Sequence, residues 1–185
     1  MTGWPRQLTW GDFQEIPNPG PGTLVARNGH PIVARVAITI NFDPAQHAMV
    51  AEGGQYRFGS ANVSVNLNRA MTNYVPSRIP RGEESYYLSH EQGHMDLMGL
   101  FGRELEVNLL ALRAPTSMAL LQLGHETTDA AVANARMYAI NSSMGDCQYD
   151  RDTNHGMNRA QQRRWLGIIQ RNVAGWRAAD FMFRT

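Results

Sequence analysis

The chain has 185 residues, 43% of them apolar, which is enough for one domain with a real core and too apolar for a disordered segment. Its formal net charge is +1, so no strong field points to nucleic acid or an anionic membrane as partner, and no apolar run is long enough to span a bilayer. Cys147 is the only cysteine, which excludes an internal disulfide, and the 17 basic residues are all arginines, a bias that by itself makes no phosphate-binding surface.

The first residues, Met1-Thr2-Gly3-Trp4-Pro5-Arg6, have no basic start followed by an apolar run, so no secretory signal is expected there. A short strand is expected near Leu8–Phe13. A turn-rich link with Pro17, Pro19, Gly20, Pro21 and Gly22 follows. Ile32–Phe42 alternates, with Ile32, Ala34, Val36, Ile38 and Ile40 on one face, and reads as a strand ended by Asp43-Pro44. Gln55–Phe58 and Ala61–Asn68 read as a hairpin around Gly59-Ser60. After a Pro-containing link at 74–81 the period changes to that of a helix, running from Glu83-Glu84 to just before Pro115, with possible breaks at Gly99 or Gly102. Two further helices are expected at Thr116–Leu123 and Glu126–Ser142, then a polar loop at Gly145–Gly156, then a last helix over Met157–Trp176. The fold class is α+β, one domain over 1–185, with a small, mostly antiparallel sheet (1–75) followed by a helical part (82–185).

The long helix carries His90-Glu91-Gln92-Gly93-His94. Histidines four apart on a helix differ by about 40° around the axis and about 6 Å along it, so both imidazoles can face one ion. Glu91 lies about 100° from His90, beside that ion, where a carboxylate can deprotonate a water. A His-Glu-x-x-His helix is the working core of zinc metallohydrolases, which implies Zn²⁺ as cofactor and Glu91 as general base. A sheet followed by helices, with the metal motif on the first long one, is the general order of zincin-type peptidases.

Catalytic zinc normally takes three protein ligands. The metzincin spacing is excluded, because residues 97 and 100 are both leucine. Asp96 faces elsewhere, and Glu104 lies too far up the helix. Three candidates remain: His155, Glu126 and Asp150. His155 is preferred, since Tyr149, Asp150, Thr153 and His155 gather coordinating and hydrogen-bonding groups in one short segment. Asp150 could then orient a ligand histidine, and Tyr149 could donate to a developing oxyanion.

His90-Glu91-Gln92-Gly93-His94 together with Tyr149-Asp150-x-x-Thr153-x-His155-Gly156 resembles a family of predicted bacterial secreted zinc-dependent proteases, carried as a domain of unknown function. Trp10-Gly11-Asp12-Phe13 matches that family's Trp-x-Asp-Phe near the start, and Asn158, Gln161 or Gln162, and Trp165 resemble its continuation. The resemblance implies a zinc-dependent peptidase acting on a peptide or protein, secreted or periplasmic. Two other readings use the same residues: a cell-wall amidase or endopeptidase, and a non-catalytic, zinc-stabilised binding protein. A cysteine-protease reading through Cys147 is disfavoured, because nothing next to it in sequence would lower its pKa.

Overall fold

A computed structural model describes residues 1–26, 29–141 and 145–175. The sheet-then-helix order of an α+β fold is what it shows. The strands are β1 (Gln14–Glu15), β2 (Ala34–Arg35), β3 (Ile38–Asn41), β4 (Met49–Glu52), β5 (Gln55–Phe58), β6 (Ser64–Leu67) and β7 (Asn73–Tyr74). They form three small sheets. In the first, β7 lies between β1, which runs parallel to it, and β2, which runs antiparallel. β3 pairs antiparallel with β6, and β4 with β5.

The alternation over Ile32–Ile40 is borne out: Ile32, Ala34, Val36, Ile38 and Ile40 are buried, while Arg35 and Thr39 are exposed. The segment is nonetheless two strands rather than one. The Val36 N–H goes to the Glu91 carboxylate (2.9 Å) and the Ala37 N–H to Thr72 Oγ1 (3.0 Å). Between those two side-chain bonds the chain leaves β7 and joins β6.

Two expectations need correction here. No hairpin forms around Gly59-Ser60; β5 turns back on β4 instead. The tight turn is Gly53-Gly54, whose φ values of 58° and 78° suit a two-residue hairpin loop that other residues adopt only with strain. Residues 8–13 form no strand either. Trp10–Asp12 is a 3-10 turn, closed by the Asp12 carboxylate accepting the Thr9 N–H at 3.0 Å. Arg6 and Arg69 (2.6 Å) pair with the same carboxylate, and Trp10 stacks on Tyr74 with ring centroids 4.8 Å apart.

The helices are α1 (Glu84–Ala111), α2 (Ser117–Tyr138), α3 (Gln148–Thr153) and α4 (Arg159–Gly175). α1 is unbroken: the Trp4 indole lies over Gly99, and Val65 lies over Gly102. It packs against α2, α4, β3, β5 and β6, and is buried on nearly every side. Met95, Leu97, Leu100, Leu105 and Leu109 lose all contact with water, each burial stabilising the fold by about 1.5–3 kcal/mol. α2 is one helix where two were expected. Gly124 does not interrupt it, because the Phe58 ring and Pro44 fill the space beside that glycine. α2 is capped by Thr116, whose hydroxyl accepts the Ala119 N–H (3.1 Å). Ser142 and Trp176, at the expected helix ends, lie outside the described residues. No helix among the described residues is long and apolar enough to cross a membrane.

The expected loop at Gly145–Gly156 contains the six-residue α3, with Tyr149, Asp150 and Thr153 on its buried face. Three contacts hold the α3–α4 connection to the start of α1. Arg159 pairs with Glu83 at 2.5 Å and lies 4.4 Å over the Tyr86 ring, while the Tyr86 hydroxyl donates to the Gly156 carbonyl. Gly156 has φ +82°, and a Cβ there would sit 3.3 Å from Cγ of His90, so both backbone shape and space call for glycine.

Candidate metal centre

His90 and His94 project from one face of α1 toward α3, as their spacing requires. Their rings meet edge to face with centroids 4.9 Å apart and Nε2 atoms 3.3 Å apart. Asp150, on α3, places Oδ1 2.9 Å from His90 Nε2 and 3.2 Å from His94 Nε2. All three side chains are buried, and these three donor atoms lie within 4.8 Å of one another, a group that could hold a metal ion.

The protons of the two rings can be placed from their other nitrogens. His94 Nδ1 is 2.6 Å from the Ala139 carbonyl, which can only accept, so Nδ1 carries the proton. For His90 the partner is Gln162. The Tyr149 hydroxyl donates to the His90 carbonyl (3.3 Å) and therefore accepts from Gln162 Nε2 (2.7 Å). That leaves Gln162 Oε1, 2.8 Å from His90 Nδ1, as the acceptor of the ring proton. Both Nε2 atoms thus present lone pairs to each other and to a carboxylate oxygen. Three acceptors facing one point, with no donor among them, could hold a cation between them. The donor chemistry fits a divalent metal of the zinc type, which takes imidazole nitrogen and carboxylate oxygen.

The same contacts shift the titration of these groups. Burial pushes His94 down, but the Asp150 charge outweighs it and holds His94 well above its ordinary value. Burial pushes Asp150 up, and the charge of His94 together with the contacts to His155, His90 and His94 holds it well below the usual carboxylate range. Glu91 is buried beside them, and that burial raises its carboxyl above the usual range. The charges of His90 and His94 and the Val36 N–H oppose the rise.

These groups face a cavity of about 1150 Å³, walled on one side by the extended segment 32–39 and on the others by Met71, Tyr87, Arg136, Ile140 and Asp146, among others. His90, Glu91, His94, Asp150 and His155 all line it. A smaller cavity of about 300 Å³ adjoins it across Ile32, Val33, Tyr87 and His155.

The structure therefore brings His90, Glu91, His94 and Asp150 together. His155 stands one contact further out, with Nδ1 3.5 Å from Asp150 Oδ1 and Nε2 3.4 Å from Asp146 Oδ2, and is not one of the three mutually close donors. Burial lowers its pKa, but the two carboxylates outweigh this and raise it. Glu126 is exposed on α2, where it accepts from Gln122 at 2.8 Å, away from the cavity wall. Tyr149 is fully buried and does not line the cavity. Its ring stacks on His90 (4.8 Å), and its hydroxyl faces α1 and Gln162. Cys147 is buried against His94, and burial pushes its thiol up, away from the thiolate a nucleophile needs.

The Ala139 carbonyl, Asp146 and the Val36 N–H were not identified from sequence, and Gln162 entered only as one of two alternatives, Gln161 or Gln162, in the continuation of the resemblance, with no role attached. A local signal separates the two glutamines: Gln162 lies on the stripe of α4 that Trp165 and Ile169 continue, and a polar residue on a buried stripe signals a bonded partner. The three motifs of the resemblance do not all meet at one place. His90–His94 and Tyr149–Gly156 meet at the cavity, whereas Trp10–Phe13 forms the Asp12 turn that ties the N-terminal segment to Arg69. No family model, no curated protein and no solved structure matches this chain.

Proposed function

We propose that this chain is a zinc-dependent peptidase, with His90, His94 and Asp150 holding the ion and Glu91 as general base. The observation that carries the reading is the convergence of three acceptor atoms in the wall of a large cavity, with an anchored, proton-hungry carboxylate beside them. A divalent cation held there would supply Lewis acidity, making water a nucleophile near neutral pH and polarising a carbonyl.

The protein's own part follows from its contacts. The Val36 N–H fixes Oε2 of Glu91, leaving Oε1 to take a proton from water in the cavity. Burial raises the affinity of Glu91 for that proton, and the same carboxyl can return it to a leaving amine. Gln162 and Ala139 hold the two imidazoles in the tautomer that offers both Nε2 lone pairs. β2 is an edge strand, and the segment containing it walls the cavity, so an extended peptide has a backbone to lie against.

Glu91→Gln is the test. It keeps an acceptor for the Val36 N–H but cannot take a proton. Such a variant should retain its zinc and lose peptide hydrolysis by about 10²–10⁴-fold. A variant as active as the wild type would sink the mechanism. A non-catalytic metal site would show no hydrolysis in either protein.

A further inference from the structure

We infer that the substrate carries a carboxylate close to the scissile bond, and that Arg35 and Arg136 are the residues that select it. The inference rests on the peptidase reading for the reaction, but its basis is the charge balance of the cavity.

Three acidic side chains line that cavity, and each has a partner. Glu91 accepts the Val36 N–H, Asp150 faces the two histidines, and Asp146 lies 3.4 Å from His155. Two arginines also line it, Arg35 on β2 and Arg136 in the last turn of α2. Among the described residues, neither arginine has an ion-pair or hydrogen-bond partner, whereas Arg6, Arg57, Arg69 and Arg159 pair with acids, and Arg78 with carbonyls. The two arginines are therefore the lining charges left for a ligand to meet, and a divalent cation held by the histidines would bring the formal sum of two arginines and three carboxylates from −1 to +1.

Both arginines line the same cavity as the reacting groups. Arg35 directly precedes Val36, whose N–H holds Glu91. Arg136 lies three residues before Ala139, whose carbonyl holds His94, about 4.5 Å away along the helix axis. They approach the reacting groups from the strand wall and from the helix wall. Two guanidinium groups lining one cavity, one from a strand and one from a helix, fit a carboxylate well and a neutral amide poorly. Arg136 also complements the C-terminal dipole of α2, but that role would not distinguish one ligand from another.

The carboxylate could come from an acidic side chain or from a free C-terminus. Fluorescence anisotropy on the zinc-loaded full chain in the Glu91→Gln background, where no turnover interferes, separates the sources. Three labelled peptides of one sequence serve as probes: one neutral with a C-terminal amide, one with an internal glutamate and the amide, and one neutral with a free carboxylate. One of the two charged peptides should bind at least about tenfold tighter than the neutral one. That preference should fall by about fivefold for each of Arg35→Gln and Arg136→Gln, as for exposed ion pairs, and shrink between about 0.05 M and 0.5 M NaCl. Equal binding of all three, binding of none, or a preference untouched in the double variant would overturn the inference. Wild-type cleavage of the neutral peptide alongside equal binding would overturn it while leaving the peptidase reading intact. An arginine-dependent preference with no cleavage of any peptide by wild type would do the reverse.

Discussion

Replacing Gln162 by leucine removes the side chain that fixes both His90 and Tyr149 while keeping the volume close. Two buried hydrogen bonds vanish, at 2.8 Å to His90 Nδ1 and 2.7 Å to the Tyr149 hydroxyl. Tyr149 keeps a partner, because its hydroxyl still donates to the His90 carbonyl. His90 Nδ1–H keeps none, and an orphaned buried donor costs about 1–3 kcal/mol. The ring can escape that cost by moving its proton to Nε2, from which it would donate to Asp150 Oδ1 at 2.9 Å. That tautomer spends the lone pair a metal would use. Zinc affinity should therefore fall by about 10–100-fold, the usual range for loss of an outer hydrogen bond to a ligand histidine. A competition titration against a chromogenic chelator measures this, with urea unfolding of the metal-free variant as control. An affinity within about twofold of wild type, in a variant whose stability has dropped by about 1–3 kcal/mol, would show that Gln162 supports packing but not the site.

Two further outcomes follow from other parts of the structure. A Cβ at Gly93 would overlap the buried Tyr149 ring, with Cζ at 2.7 Å and Cε1 at 3.0 Å, and that ring is held by His90 and Gln162. Alanine gains about 1 kcal/mol of helix propensity, but overpacking costs about 1–3 kcal/mol, so Gly93→Ala should be neutral to about 2 kcal/mol less stable by urea unfolding, with weakened zinc binding; a clear gain in stability contradicts the packing described. Asp12 is the subject of the second. Burial would raise its pKa, but the Thr9 N–H, Arg69 and Arg6 outweigh it and hold the carboxyl below its ordinary value. A depressed folded pKa means that its stabilisation is complete above the unfolded value of about 3.9 and is lost as pH falls through the folded value. The difference in Tm between wild type and Asp12→Asn should thus be constant above about pH 5 and shrink below about pH 4. A difference that persists unchanged into acid would show that the ion pairs are not its source.

The parts of the fold that could be read from sequence are those with a strong local period. The alternation from Ile32 to Ile40 places each buried residue correctly, since strand geometry alone sets it. The break in that strand depends on a carboxylate fifty-five positions away in sequence, and no local pattern records it. The Gly53-Gly54 turn carried a readable two-glycine signal, but Met49-Val50-Ala51-Glu52 alternates weakly and is largely exposed, so the pairing went to the wrong neighbour. Gly124 and Gly99 look like helix breaks on propensity, yet tertiary neighbours fill the space beside them. At the site, the helix spacing alone was enough to bring His90 and His94 together. The choice among Asp150, His155 and Glu126 turned on the short helix α3, which carries Asp150 inward while leaving His155 on a left-handed residue (φ 53°) beyond its end. Gly93 admits the Tyr149 ring, a close approach from a helix that is distant in sequence.

Zinc content per chain, measured by elemental analysis on wild type, Asp150→Ala and His155→Ala after identical dialysis, tests the three-acceptor site most directly. About one zinc per chain is expected for wild type and for His155→Ala, and little or none for Asp150→Ala. A wild type that binds no zinc, or an Asp150→Ala protein that keeps its metal while His155→Ala loses it, would contradict the assignment of Asp150 as the third ligand.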